Sequence, residues 1–196
     1  VDQTLSEFLH ALCEEGRVHD VAEPDRLRHR SNLHPDSAAV LAMLTRAAGA
    51  RSVLELGTSN GYSTLWLADA VRDTGGRVVT VDVSADAHAR AAANLRTVGL
   101  DTYVELLTAD GSHVLAELPD AEVDVVFLDV RPKSLYGRWW PELSRVLRPG
   151  GLLVADNAVS HAEEVSDFLT AAWSSPAFET VTVPVGAGLF VAWRRR

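Results

Sequence analysis

A small set of residues late in the chain has the types and spacing to do chemistry on an oxygen. Asp129 follows the apolar run Val123–Leu128, and the pair Asp156-Asn157 follows an apolar run over 152–155. Runs of this length suit buried strands, so both sets stand where a strand leaves the core. Two carboxylates and an amide oxygen, with no sulfur or imidazole among them, favour a hard divalent cation, Mg²⁺ first and Mn²⁺ or Ca²⁺ as substitutes. Two adjacent hydroxyls of a small molecule could chelate such a cation, which would lower the pKa of one of them. Lys133, just after Asp129, could take the hydroxyl proton or stabilise the oxyanion; alone it reads as a solvated loop lysine. His161 is a rival base at what reads as a helix start.

The elements that must position these groups begin at 51–68, RSVLELGTSNGYSTLWLA. An apolar strand, the small-residue turn Gly57–Gly61 and a helix from Tyr62 are how a doubly wound sheet offers backbone N–H groups to a cofactor. Glu55, two residues before the turn, would repel a phosphate and favour a ligand with a positive charge near the loop. The turn supports several readings. As G-x-S-x-G it matches the nucleophile elbow of a serine hydrolase, with Ser59 as nucleophile. As a dinucleotide fingerprint it is defective, because Ser59 replaces the middle glycine. As E-x-G-x-x-x-G it is an S-adenosylmethionine (SAM) loop, and an ordinary strand–helix turn is the bland alternative.

The rest of the chain alternates. Residues 4–15 read as a helix with Thr4 and Glu7 at capping-box spacing and Gly16 as its stop. Residues 17–35 read as a polar loop or lid, and Asp36 as the cap of a helix to about 48. Strands follow at 77–81, 103–107, 123–128 and 152–155, with helices over 84–98, 111–118, 135–147 and 160–173, the last opened by Ser160 and Glu163. Two final strands, 178–183 and 189–193, fit an antiparallel hairpin. The pattern predicts an α/β fold with a mostly parallel sheet and an antiparallel edge, as one domain over 1–196: an N-terminal helix and lid to 35, then a core. Ligands bind such sheets outside the carboxyl ends of the strands. Asp82, 21 residues after Gly61, is placed to accept from ribose hydroxyls, and Asp110 to meet an adenine amino group, with Gly111 leaving room for the ring. Trp139 and Trp140 read as core or dimer contact, or as a substrate wall.

Composition narrows the function classes. Apolar residues make up 47% and charged residues 23% of the 196, which is ordinary for a globular protein. The net charge of −9 disfavours a nucleic-acid binder, and Arg194–Arg196 is the sole basic run. One cysteine, Cys13, excludes an internal disulfide and a cysteine-rich metal cluster. No apolar run reaches membrane-spanning length and no leader pattern opens the chain, so no membrane role and a cytoplasmic location are expected.

From about Leu33 onward the chain resembles the cation-dependent O-methyltransferase family, similar to caffeoyl-CoA and catechol O-methyltransferases. The resemblance lies in VLELGTSNGYSTLWLA (53–68), VVTVD (78–82), DVVFLD (124–129), Lys133 and Tyr136, LRPGGLLVADN (147–157) and VPVGAGL (183–189). It implies a Rossmann-like, seven-stranded class I methyltransferase sheet, SAM as cofactor, a divalent cation, a small-molecule acceptor and a homodimer. Carried onto this sequence, it implies SAM contacts at Leu33, Glu55, Gly57, Thr58, Ser63, Asp82, Asp110 and Asp129. Ser59, Gly61, Tyr62, Val83, Gly111 and Tyr136 complete the expected cofactor set. Asp129, Asp156 and Asn157 would be the metal ligands and Lys133 the catalytic lysine, with Asp129 beside it. The sequence departs from the family where D-x-D-K-x-x-Y is frequent: Arg131 replaces the second acid, and one extra residue precedes Lys133. Ala158–His161 replaces a segment that often holds a tryptophan, and Ala187 stands where an acid is frequent. The expected reaction is transfer of the SAM methyl to a hydroxyl of a vicinal-dihydroxy aromatic. The alternatives are a metal-independent methyltransferase with Lys133 or His161 as base, a protein that holds SAM or S-adenosylhomocysteine (SAH) without turnover, and the Ser59 hydrolase.

Overall fold

Alternation of side chains decides how the central strands sit. The structure, a computed structural model, describes residues 2–196, the side chain of Leu27 excepted. In β4 (Val123–Leu128), Val126 and Leu128 enter one core and Val125 and Phe127 the other, all fully buried. A strand apolar on both faces must be covered on both faces. Burying a side chain of this size contributes roughly 1.5–3 kcal/mol, so packing rather than rim chemistry fixes where the strand ends.

Around β4 lie β1 (Ser52–Leu56), β2 (Arg77–Asp82), β3 (Val104–Thr108), β5 (Leu147–Ala155), β6 (Phe178–Val183) and β7 (Leu189–Arg194). Their order is β3-β2-β1-β4-β5-β7-β6. The first five are parallel, and β7 runs antiparallel to both β5 and β6. This is the expected doubly wound sheet with an antiparallel C-terminal hairpin. Its helices are α1 (Gln3–Ala22), α2 (Pro35–Ala47), α3 (Tyr62–Arg72), α4 (Ala85–Thr97), α5 (Gly111–Glu117), α6 (Leu135–Val146) and α7 (Ser166–Ser174). The strand order reverses between β1 and β4, and that switch point opens a crevice at their carboxyl ends. No helix among the described residues is long and apolar enough to cross a membrane.

Five local expectations are corrected. Helix α1 passes through Gly16 and ends at Ala22, because buried Gly16 packs against the Asn32 side chain, where a larger residue would collide. Its cap is Asp2, which accepts from the Leu5 N–H at 2.9 Å, in place of Thr4. The cap of α2 is His34, whose Nδ1 accepts from the Asp36 N–H at 3.3 Å, and Asp36 joins the first turn. Strand β5 begins at Leu147 rather than 152, through Pro149-Gly150-Gly151, with a register irregularity against β4. Residues 160–165 form turns and α7 starts only at Ser166. Ser160 does not cap there, since its hydroxyl meets His161 Nδ1 and Asn157 Nδ2.

Candidate active site

A cleft of about 1510 Å³ opens over the carboxyl ends of β1, β2, β4 and β5. Drug-sized sites occupy roughly 300–1,000 Å³, so this one has room for a cofactor and a second small molecule. Leu33, Gly57, Thr58, Ser59, Tyr62, Ser63, Asp82, Val83, Asp110, Gly111, Asp129, Lys133, Asp156 and Asn157 all line it. Among the expected site residues, Glu55, Gly61, Tyr136 and His161 do not.

The loop after β1 is held by the carboxylate at the end of β2. Asp82 Oδ2 accepts from the N–H groups of Thr58 (3.1 Å) and Ser59 (3.0 Å), and Oδ1 from Ser84 (2.9 Å). Both glycines serve chain packing. At Gly57, with φ +104°, a Cβ would overlap the Asp129 carbonyl at the end of β4. At Gly61, with φ +84°, it would press on Ala91 of α4. Close approach between chain segments is thus what requires them. Ser59 donates to the Arg30 carbonyl at 2.7 Å and has no histidine partner among the described residues, so none of them activates it as a nucleophile.

Glu55 lies beneath the cleft. It alternates with Leu54 and Leu56 and so points into the first turn of α3, fully buried. Three hydroxyls donate to its carboxylate: Ser63 at 2.6 Å, Thr64 at 2.5 Å and Thr80 at 2.6 Å. Burial pushes its pKa up to about 7 in spite of those donors, and the Asp129 charge adds to the rise. Thr80 extends the network through Thr58 to His88, whose Nδ1 meets Thr108 at 2.8 Å. Thr80 is directly paired with Glu55 in the sheet register. A polar residue inside the strand sequence VVTVD was the signal for it.

The acceptor end is built on β4 and β5. Lys133 is 5% exposed at its side chain, and its Nζ donates to Asp129 Oδ1 at 2.5 Å and to the Tyr136 hydroxyl at 2.9 Å. The Tyr136 hydroxyl donates in turn to the Leu128 carbonyl at 3.2 Å. Burial, then the charges of Asp129 and Asp156, hold that phenol well above its ordinary range, so it stays neutral and steadies the lysine. The extra loop residue therefore leaves Lys133 in contact with both Asp129 and Tyr136. Asp156 is 5% exposed, and burial followed by the Asp129 charge pushes it up to about 7. Its buried Oδ1 has no hydrogen-bond partner among the described residues. Asn157 follows at φ +68°, a left-handed turn that asparagine tolerates.

These groups fit a hard cation. Two carboxylates meet at one rim, one oxygen is buried and unpartnered, and an amide stands next in sequence. Among the described residues no group of three or more His, Cys, Asp or Glu side chains forms a metal site, so a cation here would draw its third protein ligand from Asn157.

The chain matches a family described as a methyltransferase domain over residues 54–158. It is 32% identical over 161 residues to a catechol O-methyltransferase of Mycobacterium tuberculosis (strain H37Rv), covering 81% of this chain and 70% of that protein. The chain belongs to the O-methyltransferase family. A catechol O-methyltransferase of Niastella koreensis is 32% identical over 131 residues, 65% of this chain, and the match spans only 58% of that relative's length. Among solved structures, the O-methyltransferase from Bacillus cereus in complex with SAH superposes with a TM-score of 0.79 at 25% identity, over 100% of this chain and 92% of that one.

Within this O-methyltransferase, the sequence misplaced His161, left Trp139 open between core, dimer contact and substrate wall, and read the strap only as a loop or lid. His161 lies outside the cleft, in a shallow depression formed by 159–164, because those residues turn instead of opening a helix. Trp139 forms a wall: its ring edge sits where a Cβ on Gly111 would lie, beside Asp110. Trp140 instead packs on Phe168 and Phe178 in the core. The loop or lid expected over 17–35 is a strap over 23–34 only, since 17–22 belong to α1. Asp20 anchors it by accepting from the N–H groups of Arg30 (2.6 Å) and Ser31 (2.8 Å). Burial opposes ionisation of Asp20, but those bonds prevail and hold its carboxyl below the usual range. Nothing in the spacing of Asp20 and Arg30 announces that contact.

Proposed function

We propose that this O-methyltransferase moves the methyl group of SAM to one hydroxyl of a small vicinal-dihydroxy aromatic, assisted by a divalent cation held by Asp129, Asp156 and Asn157. One observation carries the reading: the buried, unpartnered Asp156 Oδ1 beside Asp129, on the cleft floor that also holds Lys133. In the transfer a C–O bond forms as the methyl–sulfur bond breaks, the sulfonium becomes a neutral thioether, and the hydroxyl proton passes to solvent. The cation, when bound, supplies Lewis acidity that lowers the pKa of the attacking hydroxyl. The chain does the rest. The ammonium of Lys133, fixed by Asp129 and Tyr136, stabilises the developing oxyanion. Of the residues that line the cleft, Asp82, Val83, Asp110 and Trp139 would take the nucleoside end of SAM, and Tyr62, Ser63 and Leu33 its amino-acid end. The strap, pinned by Asp20 and Ser59, lines the same cleft and would help exclude water from the reacting centre.

A second reading is favoured by the Lys133–Asp129 pair, which already neutralises one carboxylate. It is a cation-independent transfer with Lys133 alone at the oxygen. Incubation with methyl-labelled SAM and catechol separates the two. We expect labelled monomethyl ether that disappears with chelator and returns with Mg²⁺. Product formed equally with and without chelator contradicts the cation; no product from any dihydroxy aromatic, with SAM bound, contradicts the acceptor class.

A further inference from the structure

Arg131 stands two residues beyond Asp129, exposed, on the lining of the same cleft. Its Nη2 donates to Ser31 Oγ at 3.0 Å, so the side chain reaches from the loop after β4 to the strap. Ser31 is itself fixed, because its N–H and that of Arg30 are held by Asp20. The Arg30 carbonyl takes the Ser59 hydroxyl. One N–H group therefore pins the guanidinium, and its other N–H groups meet no acceptor among the described residues. No carboxylate of the described residues pairs with Arg131, although the chain has 27 Asp and Glu against 18 Lys and Arg. Arg26 and Arg30, from the strap, line the same cleft. A guanidinium is a planar fork matched to two anionic oxygens, and holding it rigid lowers the entropy lost when it binds them.

We propose that Arg131 and the strap form an anion site that takes an acidic group on the acceptor, so that the preferred substrate is a dihydroxy aromatic acid and not a neutral catechol. The inference rests on the methyltransferase reading of the cleft. A carboxylate is the source we assign; a phosphate ester offers the same oxygens.

The test is calorimetric titration of the SAH-loaded protein, in Mg²⁺ buffer, with 3,4-dihydroxybenzoate, its methyl ester and 3,4-dihydroxyphenylethyl phosphate. Wild type, Arg131→Gln and Arg131→Lys are compared. A charge-assisted pair predicts that the acid binds about tenfold to a hundredfold tighter than its ester in wild type. The ratio should fall to about one in Arg131→Gln and recover in part in Arg131→Lys. Phosphate binding as tight as the acid supports the site with phosphate as the source, and weaker phosphate binding supports a carboxylate. Equal binding of acid and ester in wild type, or a ratio unchanged in Arg131→Gln, overturns the proposal. Turnover of the same compounds reports separately on the proposed reaction: binding with the expected ratio but no methyl transfer spares the anion site and sinks the reaction.

Discussion

Asp156→Asn is expected to lower kcat/KM for a dihydroxy acceptor by about 10²–10³-fold while leaving SAH affinity and melting temperature close to wild type. The size follows from losing several kcal/mol of Lewis-acid assistance, at 1.36 kcal/mol per tenfold in rate. The selectivity follows from the hydrogen bonds. Asp156 Oδ1 has no partner among the described residues, so the fold loses little when the carboxylate becomes an amide. The backbone N–H of Asp156 still donates to the Leu128 carbonyl at 3.1 Å and keeps the strand end in place. Steady-state kinetics with SAH calorimetry on the same preparation checks both halves. Full activity in Asp156→Asn would remove the residue from the chemistry, and loss of SAH binding would make it structural.

Glu55→Gln should change the pH dependence of stability by about 3 kcal/mol. The folded pKa of Glu55 is raised from 4.5 to about 7, and each pH unit between them is worth about 1.36 kcal/mol. For an acid with a raised folded pKa, the native state binds more protons than the unfolded state across that window. This group's contribution is therefore complete below pH about 4.5, declines as pH rises, and is gone above about 7. Glutamine removes the titration and keeps the shape. The hydroxyls of Ser63, Thr64 and Thr80 can accept as well as donate, so they can turn to meet an amide. Urea unfolding of wild type and variant from pH 4.5 to 8 should show the variant gaining on wild type through the window. Parallel profiles would mean that Glu55 ionises at its ordinary pH despite its burial.

The sheet and the acidic rim were legible in the sequence because each central strand is an apolar run stopped by a charge: Val81 before Asp82, Leu128 before Asp129, Ala155 before Asp156. Residues with local signatures therefore fell at the correct strand ends. Features set by tertiary contact were not legible. Gly16 is a common helix stop, yet here the side chain of Asn32, distant in sequence, packs over it and the helix continues. Ser160 and Glu163 have capping spacing, but the hydroxyl of Ser160 is occupied by its neighbours and the segment turns, which carries His161 away from the cleft. Glu55 reads as a rim group two residues from a glycine turn, and only the alternation within β1 shows it pointing under the loop. Gly57 and Gly61 read as parts of a small-residue turn that serves a cofactor, whereas Asp129 and Ala91 fill the space a side chain would need.

The most direct test of cation-assisted transfer on this rim is a titration of Mg²⁺, then Mn²⁺, into wild-type protein saturated with SAH, followed by calorimetry. The expected result is saturable binding at one site. No heat of binding for either cation, with SAH demonstrably bound, would contradict the cation at Asp129, Asp156 and Asn157 and leave Lys133 to act on the acceptor oxygen alone.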